Sequence, residues 1–260
     1  MADANHQELI LDQFTRQATL FSSAAAITNE GALRMIVEAA RPQPDDTVLD
    51  VACGGGIVVC AFAPHVRRAT GIDVTPAMLE RAHNLAAEKG LTNVGWRQGD
   101  GNSLPFADAS FTIVVTRFSV HHFSDPVAVL CEMTRVCSPG GRIVVVDMYV
   151  SENSAKAAQF NRLERLRDPS HMRSLSLSEL RALFREAGLP DPDATFYELR
   201  DNVQNLLARS FPEPGDDDKI VELFKASAAD DRLGIPVRLE ADKIQYAYPV
   251  AILSVQRPNL

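Results

Sequence analysis

The chain has 260 residues, 46% hydrophobic and 23% charged, an ordinary globular balance with room for one α/β domain and an appended lobe. A net charge of -8 and a pI of about 5.3 argue against a surface built to neutralise phosphates, and no apolar run approaches the ~20 residues of a membrane helix. The acidic opening MADANHQELILDQF lacks the features of a secretory signal, and Cys53, Cys60, Cys131 and Cys137 form no CxxC or Cys/His ligand pattern. These features predict a cytoplasmic protein with reduced thiols and no metal site, and neither nucleic acid nor membrane as partner.

Residues 1 to 46 read as helical, with Leu9, Ile10, Phe14 and Phe21, then Leu33, Ile36 and Val37, as apolar stripes. From Thr47 to about Val150, short β-branched runs alternate with helical stretches. TVLDVA is a buried strand, followed by a glycine turn and the helix IVVCAFAPHV; ATGIDV is a second strand. Thr75 then reads as an N-cap with Pro76 at the first helical position, and Lys89-Gly90 stops that helix. NVGWRQGD and FTIVVTRF are the next strands, Asp125-Pro126 opens a helix, and RIVVVDMYV is a fifth strand. This alternation predicts a parallel sheet covered on both faces. Beyond it, SENSAKAAQFNRLERL and SLSELRALFREAG are amphipathic helices, ATFYELR is a strand, residues 201 to 232 are a helical insertion, and QYAYPVAILSVQRP is a final strand. Arg162, Arg165, Arg167 and Arg173, interrupted by Glu164 and Asp168, read as a solvated, salt-bridged helix face. One domain over 1–260 is expected: an N-terminal lid (1–46), a core (47–150), a helical cap with one core strand (151–232) and the final strand (233–260).

The chemistry concentrates at Asp50-Val51-Ala52-Cys53-Gly54-Gly55-Gly56, where a strand runs into a glycine turn and then a helix. In an open α/β sheet that crevice, at the carboxyl ends of the strands, is where ligands bind. The dinucleotide pattern fails there, because Ile57 occupies the sixth place where a glycine belongs and Asp50 would oppose a pyrophosphate. A cationic cofactor welcomes the same carboxylate. Asp73 and Asp100 end the second and third strands, so three successive strands finish in an acidic residue at one edge. Asp73 is placed to accept from ribose hydroxyls and Asp100 from an adenine amine.

At these residues the chain resembles the class I S-adenosylmethionine-dependent methyltransferases, in particular the group related to ubiquinone/menaquinone biosynthesis (methyltransferase type 11). VLDVACGGG, GIDVTPAMLERA and QGDGNSLPF are similar to the group's first three motifs, and RFSVHHFSDP with RVCSPGGRIVVVD to its fourth and fifth. The similarity runs from about residue 11 to 258. The resemblance implies a Rossmann-like, mostly parallel seven-stranded sheet whose antiparallel last strand lies between the fifth and sixth. It implies S-adenosylmethionine as cofactor and S-adenosylhomocysteine as product. Asp50, Ala52, Cys53 and Gly54 would surround the methionine moiety, Gly56 would allow close backbone approach, and Asp73 would hold the ribose. Val74 and Met78 would flank the adenine, Asp100 and Gly101 would meet its polar edge, and Arg117 would lie beneath the methionine end.

The expected reaction is in-line methyl transfer to carbon, oxygen or nitrogen of a small-molecule acceptor, a reaction dominated by orientation in a dry site. Candidate bases are His121, His122 and His171; Tyr149, His171 and Phe14 are candidate acceptor contacts, with Arg16 and Phe21 also near the lid. His171, His121 and Arg117 are expected to line one pocket, with a structural role the alternative for each histidine. His6, His65 and His83 read as surface residues. Competing readings are a tRNA or protein methyltransferase, and a non-methylating enzyme such as a cyclase or decarboxylase that uses the same cofactor. A homodimer is an open assembly.

Overall fold

A computed structural model describes residues 2–24 and 26–259, with the side chains of residues 2–5 and 19–23 left aside; Phe21 therefore lies outside the described side chains. Two helices, α1 (Ala2–Ser23) and α2 (Glu30–Ala40), precede the sheet. Asn29 caps α2 by accepting the Ala32 amide at 2.9 Å. The core then alternates β1 (Thr47–Val51), α3 (Ile57–Phe62), β2 (Arg68–Asp73), α4 (Pro76–Glu88), β3 (Val94–Gln98), β4 (Phe111–Arg117), α5 (Pro126–Val136) and β5 (Cys137–Met148). The cap contributes α6 (Ser154–Arg167), α7 (Leu177–Glu186), β6 (Asp193–Asn202), α8 (Val203–Ala208) and α9 (Asp216–Asp230), and the chain closes with β7 (Val237–Glu240) and β8 (Lys243–Gln256).

The strand order is β3-β2-β1-β4-β5-β8-β6. Strands β1 to β5 pair in parallel, and β8 inserts antiparallel between β5 and β6 as the resemblance implied. One correction is an eighth strand: β7 pairs antiparallel with Lys243–Tyr246, where β8 extends past the end of β5. The lengthened β8 offers unpaired ladder groups there, and the segment after α9 folds back to satisfy them.

Period-two alternation divides the core between the two faces of the sheet. Val48, Ile113, Val115, Val144, Val146, Val250 and Ile252 face one way, toward α2, α3, α6 and α9. Leu49, Val51, Val114, Ile143, Val145, Ala251 and Leu253 face the other, toward α5 and α7. The strands are near-continuous apolar runs because both faces are covered.

The helix starts follow the sequence with one exception. Asp125 caps α5 through the Ala128 amide at 2.9 Å, and Ser176 forms a capping box with Glu179 at α7. Thr75 precedes α4, but its hydroxyl makes no capping bond; Pro76 at the first position already removes one orphan donor. The expected solvated arginine face is also corrected. Glu164 is fully buried, pairs with Arg167 at 2.7 Å and accepts from the Tyr248 hydroxyl at 2.6 Å, so this part of α6 is packed on the sheet. Cys53, Cys60 and Cys137 are buried free thiols and Cys131 is exposed. Among the described residues no helix is long and apolar enough to cross a membrane.

Candidate active site

A cavity of about 450 Å³ opens at the carboxyl ends of β1, β2 and β4, beneath α1. Backbone geometry at the strand ends makes room for it. Ala52 after β1 and Phe118 after β4 both adopt left-handed φ, 55° and 54°, and Gly54 has φ 49°. Such a conformation costs a non-glycine residue about 1–3 kcal/mol and is held only where packing enforces it. Here it recurs at the ends of two paired neighbouring strands, at the same edge of the sheet.

Asp50, at the end of β1, is 1% exposed, and neither carboxylate oxygen has a hydrogen-bond partner. Burial, then the nearby Asp73, push its pKa well up, while Arg117 pulls it down only in part. Asp73 at the end of β2 is anchored: one oxygen accepts the Gly54 amide at 2.8 Å and the other the Thr75 amide at 2.9 Å. Its remaining lone pairs face the cavity it lines. Asp100 folds its own turn, with one oxygen accepting from the Asn102 amide and side chain at 2.9 Å each, and leaves the other free. Ala52, Cys53, Gly54, Val74, Met78 and Gly101 line the same wall. The Cys53 thiol is driven well up in pKa by burial and by Asp73 and Asp50, so it is an inert packing group.

Gly56 is corrected. It does not line the cavity; a Cβ there would lie 2.5 Å from the Trp96 ring and 2.7 Å from Ala82. With φ 76° at the start of α3, this glycine lets the helix sit against β3 and α4.

On the opposite side Arg117 lines the cavity, with both terminal nitrogens donating to the Ile27 carbonyl at 3.0 Å and its guanidinium 4.5 Å over the Phe118 ring. It therefore holds the connection between α1 and α2. The three candidate histidines separate. They cluster, with the His121 ring 4.3 Å from that of His122 and 5.5 Å from that of His171, but only His122 reaches the cavity. His121 points back into the fold, where Nδ1 meets Asp147 at 2.7 Å; burial opposes its charge, but Asp147 outweighs burial and raises its pKa. His171 bonds Asn161 at 2.8 Å behind the wall, and burial with the charges of its neighbours drives its pKa down. The pocket shared by His171, His121 and Arg117 is thus not formed. His121 and His122 sit side by side on one 3-10 turn (Val120–His122), but their Nδ1 atoms take different partners, Asp147 and the Ser170 carbonyl, and only the His122 side chain meets the cavity.

Tyr149 is also outside the cavity: it packs 6.0 Å from Phe196 on the α5 and α7 side of the sheet. Phe14 does line the cavity, edge-on to His122 at 5.0 Å, while Arg16 instead stacks on Phe211 at 4.5 Å. His6 is not a surface residue: it lines the cavity and its Nε2 donates to the His122 carbonyl at 2.7 Å. Sequence reasoning also missed Gln7, Ile27, Phe118 and Ser119 in the lining. A signal existed for part of this, since His6, Ile10 and Phe14 follow four-residue spacing and share one face of α1.

A strand-end carboxylate row, a glycine turn and an inserted antiparallel last strand together define the class I methyltransferase fold. A family described as methyltransferase domain matches residues 49–145. The uncharacterized methyltransferase YcgJ of Bacillus subtilis is 34% identical over 218 residues, covering 84% of this chain and 86% of that protein. Its crystal structure superposes with a TM-score of 0.82 over 89% of this chain and 100% of that one, at 30% identity. A putative methyltransferase from Bacillus halodurans gives the same TM-score at 26% identity, covering 88% of this chain and all of that one. A geranyl diphosphate methyltransferase in complex with S-adenosylmethionine shares the fold, with a TM-score of 0.62 at 20% identity over 93% of this chain and 90% of that one. The chain belongs to the methyltransferase family that includes YcgJ.

Proposed function

We propose that this protein transfers the methyl group of S-adenosylmethionine to a small uncharged acceptor. The observation that carries the reading is Asp50. A buried carboxylate without a single partner is costly, and the partner it lacks is cationic. An α-ammonium group beside the glycine turn supplies that charge, whereas a pyrophosphate there would be repelled.

The remaining residues fit the rest of the cofactor. Asp73, preset by the Gly54 and Thr75 amides, accepts from the ribose hydroxyls. Val74 and Met78 offer apolar surface to the adenine, and the free oxygen of Asp100 offers an acceptor to its amine. When bound, the cofactor supplies an electrophilic methyl on a sulfonium, with a thioether as leaving group. The protein's part is then to orient the acceptor and exclude water. Ile10, Phe14, Ile27 and Phe118 give the acceptor side an apolar wall, and α1 roofs it. The cavity volume lies within the range of small-molecule sites, which favours a small acceptor over a tRNA or a protein.

Calorimetry tests the reading. S-adenosylhomocysteine is expected to bind and NAD is not; binding of NAD with no heat from S-adenosylhomocysteine overturns it. A screen of acceptors with radiolabelled-methyl cofactor then identifies the product.

A further inference from the structure

The acceptor side of the cavity carries one polar side chain whose orientation is fixed from behind. His122 Nδ1 lies 3.0 Å from the Ser170 carbonyl, an oxygen that can only accept, so Nδ1 carries the proton. Ser170 is itself fixed, its hydroxyl donating to Asp168 at 2.6 Å and its amide at 2.9 Å. Asp168 is 1% exposed and takes a further bond from Gln17 of α1 at 3.3 Å. The other ring nitrogen, Nε2, therefore presents a lone pair. It has no partner among the described residues, and it is not sealed from solvent as His171 Nδ1 is. Phe14 stands edge-on beside the ring, and Ile10 and Phe118 line the same cavity.

The charges around the cavity limit what can approach that lone pair. Its lining carries the carboxylates of Asp50, Asp73, Asp100 and Asp125, and the guanidinium of Arg117 is already engaged with Ile27. The Ile27 carbonyl leaves that guanidinium its charge, but four carboxyl groups outnumber it, so an acceptor bearing a carboxylate or phosphate meets a predominantly acidic lining. Among the described residues no cluster of His, Cys, Asp and Glu could hold a metal ion to neutralise one.

Resting on the methyltransferase reading, we infer that His122 Nε2 is a catalytic group that accepts the proton of a hydroxyl on an uncharged apolar acceptor. The acceptor oxygen forms its bond to the methyl carbon, the carbon–sulfur bond breaks with its electron pair staying on sulfur, and the hydroxyl proton passes to Nε2. The imidazolium then returns the proton to water. Burial, with the His121 charge, lowers the His122 pKa to about 4, which keeps the ring neutral and ready to accept. A base that weak suffices, because an oxygen being alkylated becomes a far stronger acid than imidazolium as the bond forms.

Binding of matched probes tests this without turnover. By calorimetry with S-adenosylhomocysteine present, 2-naphthol is expected to bind about five- to tenfold more tightly than 2-methoxynaphthalene, the worth of one hydrogen bond. 2-Naphthoate is expected not to bind. His122→Asn keeps a donor at the Nδ1 position for Ser170 and removes the Nε2 lone pair, so the preference for naphthol is expected to vanish while the variant folds as before. His122→Gln, which places a carboxamide at the Nε2 position, is expected to restore part of it. Equal binding of naphthol and its ether, naphthoate binding tightest, or an undiminished preference in folded His122→Asn each overturns the inference. S-adenosylhomocysteine titrated alone reads the cofactor assignment separately, and its affinity is expected to be the same in His122→Asn and the parent protein.

Discussion

The two halves of the cavity are built in different ways. On the carboxylate side each strand delivers its own residue: Asp50 lies near the end of β1, Asp73 ends β2 and Asp100 follows β3. On the opposite side the wall is assembled from α1 and the turn after β4, with the Ser170 carbonyl holding His122 from behind, segments separated by up to 116 residues in single hydrogen bonds. The first half is therefore a local property of strand ends and the second a property of docking. A substitution on the carboxylate side should act where it stands, while one on the opposite side should be felt through its neighbours.

The sharpest way to break this comparison is at Gly56, which the sequence pattern placed on the cofactor and the structure places against Trp96. Gly56→Ala is expected to destabilise the fold by about 2–4 kcal/mol, through overpacking added to a left-handed backbone. Urea denaturation would show it. Gly54→Ala meets only Met78 at 3.9 Å and should cost about 1–2 kcal/mol of strain.

Next in size is Asp50→Asn. Its raised pKa means that the carboxyl group opposes folding as pH rises above its ordinary range, so the variant without ligand is expected to resist urea better than the parent at neutral pH. The same change should weaken S-adenosylhomocysteine by about 1.5–3 kcal/mol, the worth of a charged hydrogen bond. A variant that loses stability and affinity together would make Asp50 a structural residue.

The third prediction concerns the histidine cluster behind the acceptor wall. His122 is held at about 4 and His171 is also lowered from the ordinary value of 6.5, so between those limits the unfolded chain binds more protons. Stability present above pH 6.5 is therefore lost as pH falls toward 4, by about 1.4 kcal/mol per pH unit for each group. His121 does not offset this, because its raised pKa acts above 6.5. Chemical denaturation across that window should show the slope, reduced in His171→Asn. The smallest effect is assigned to Tyr149→Phe, which is expected to leave cofactor affinity and stability within about 0.5 kcal/mol; a large loss of ligand binding would return Tyr149 to the site.

The same division explains what the sequence made legible. Strand alternation, the glycine turn and the three carboxylates could be read because each is written in a few adjacent residues. His121 and His122 could not be told apart, since nothing in the pair says which faces Asp147 and which faces the cavity. His171 was misplaced because the turn Asp168-Pro169-Ser170 offers its carbonyl to His122 behind the wall and turns the following side chain inward. His6 was missed because an apolar stripe on α1 draws attention to the residues beside it. The eighth strand, β7, is four residues long and mostly exposed, and exists only because β8 runs beyond its neighbour.

The contact between Gly56 and Trp96 has a spectroscopic consequence. Trp96 is the chain's single tryptophan, and its ring lies directly beneath the backbone of both Gly56 and Gly71. All indole emission therefore comes from one site, under the turn that carries Ala52, Cys53 and Gly54. Any rearrangement of that turn changes the packing of the indole, so the unlabelled protein contains its own optical probe of the loop, placed outside the lining of the cavity.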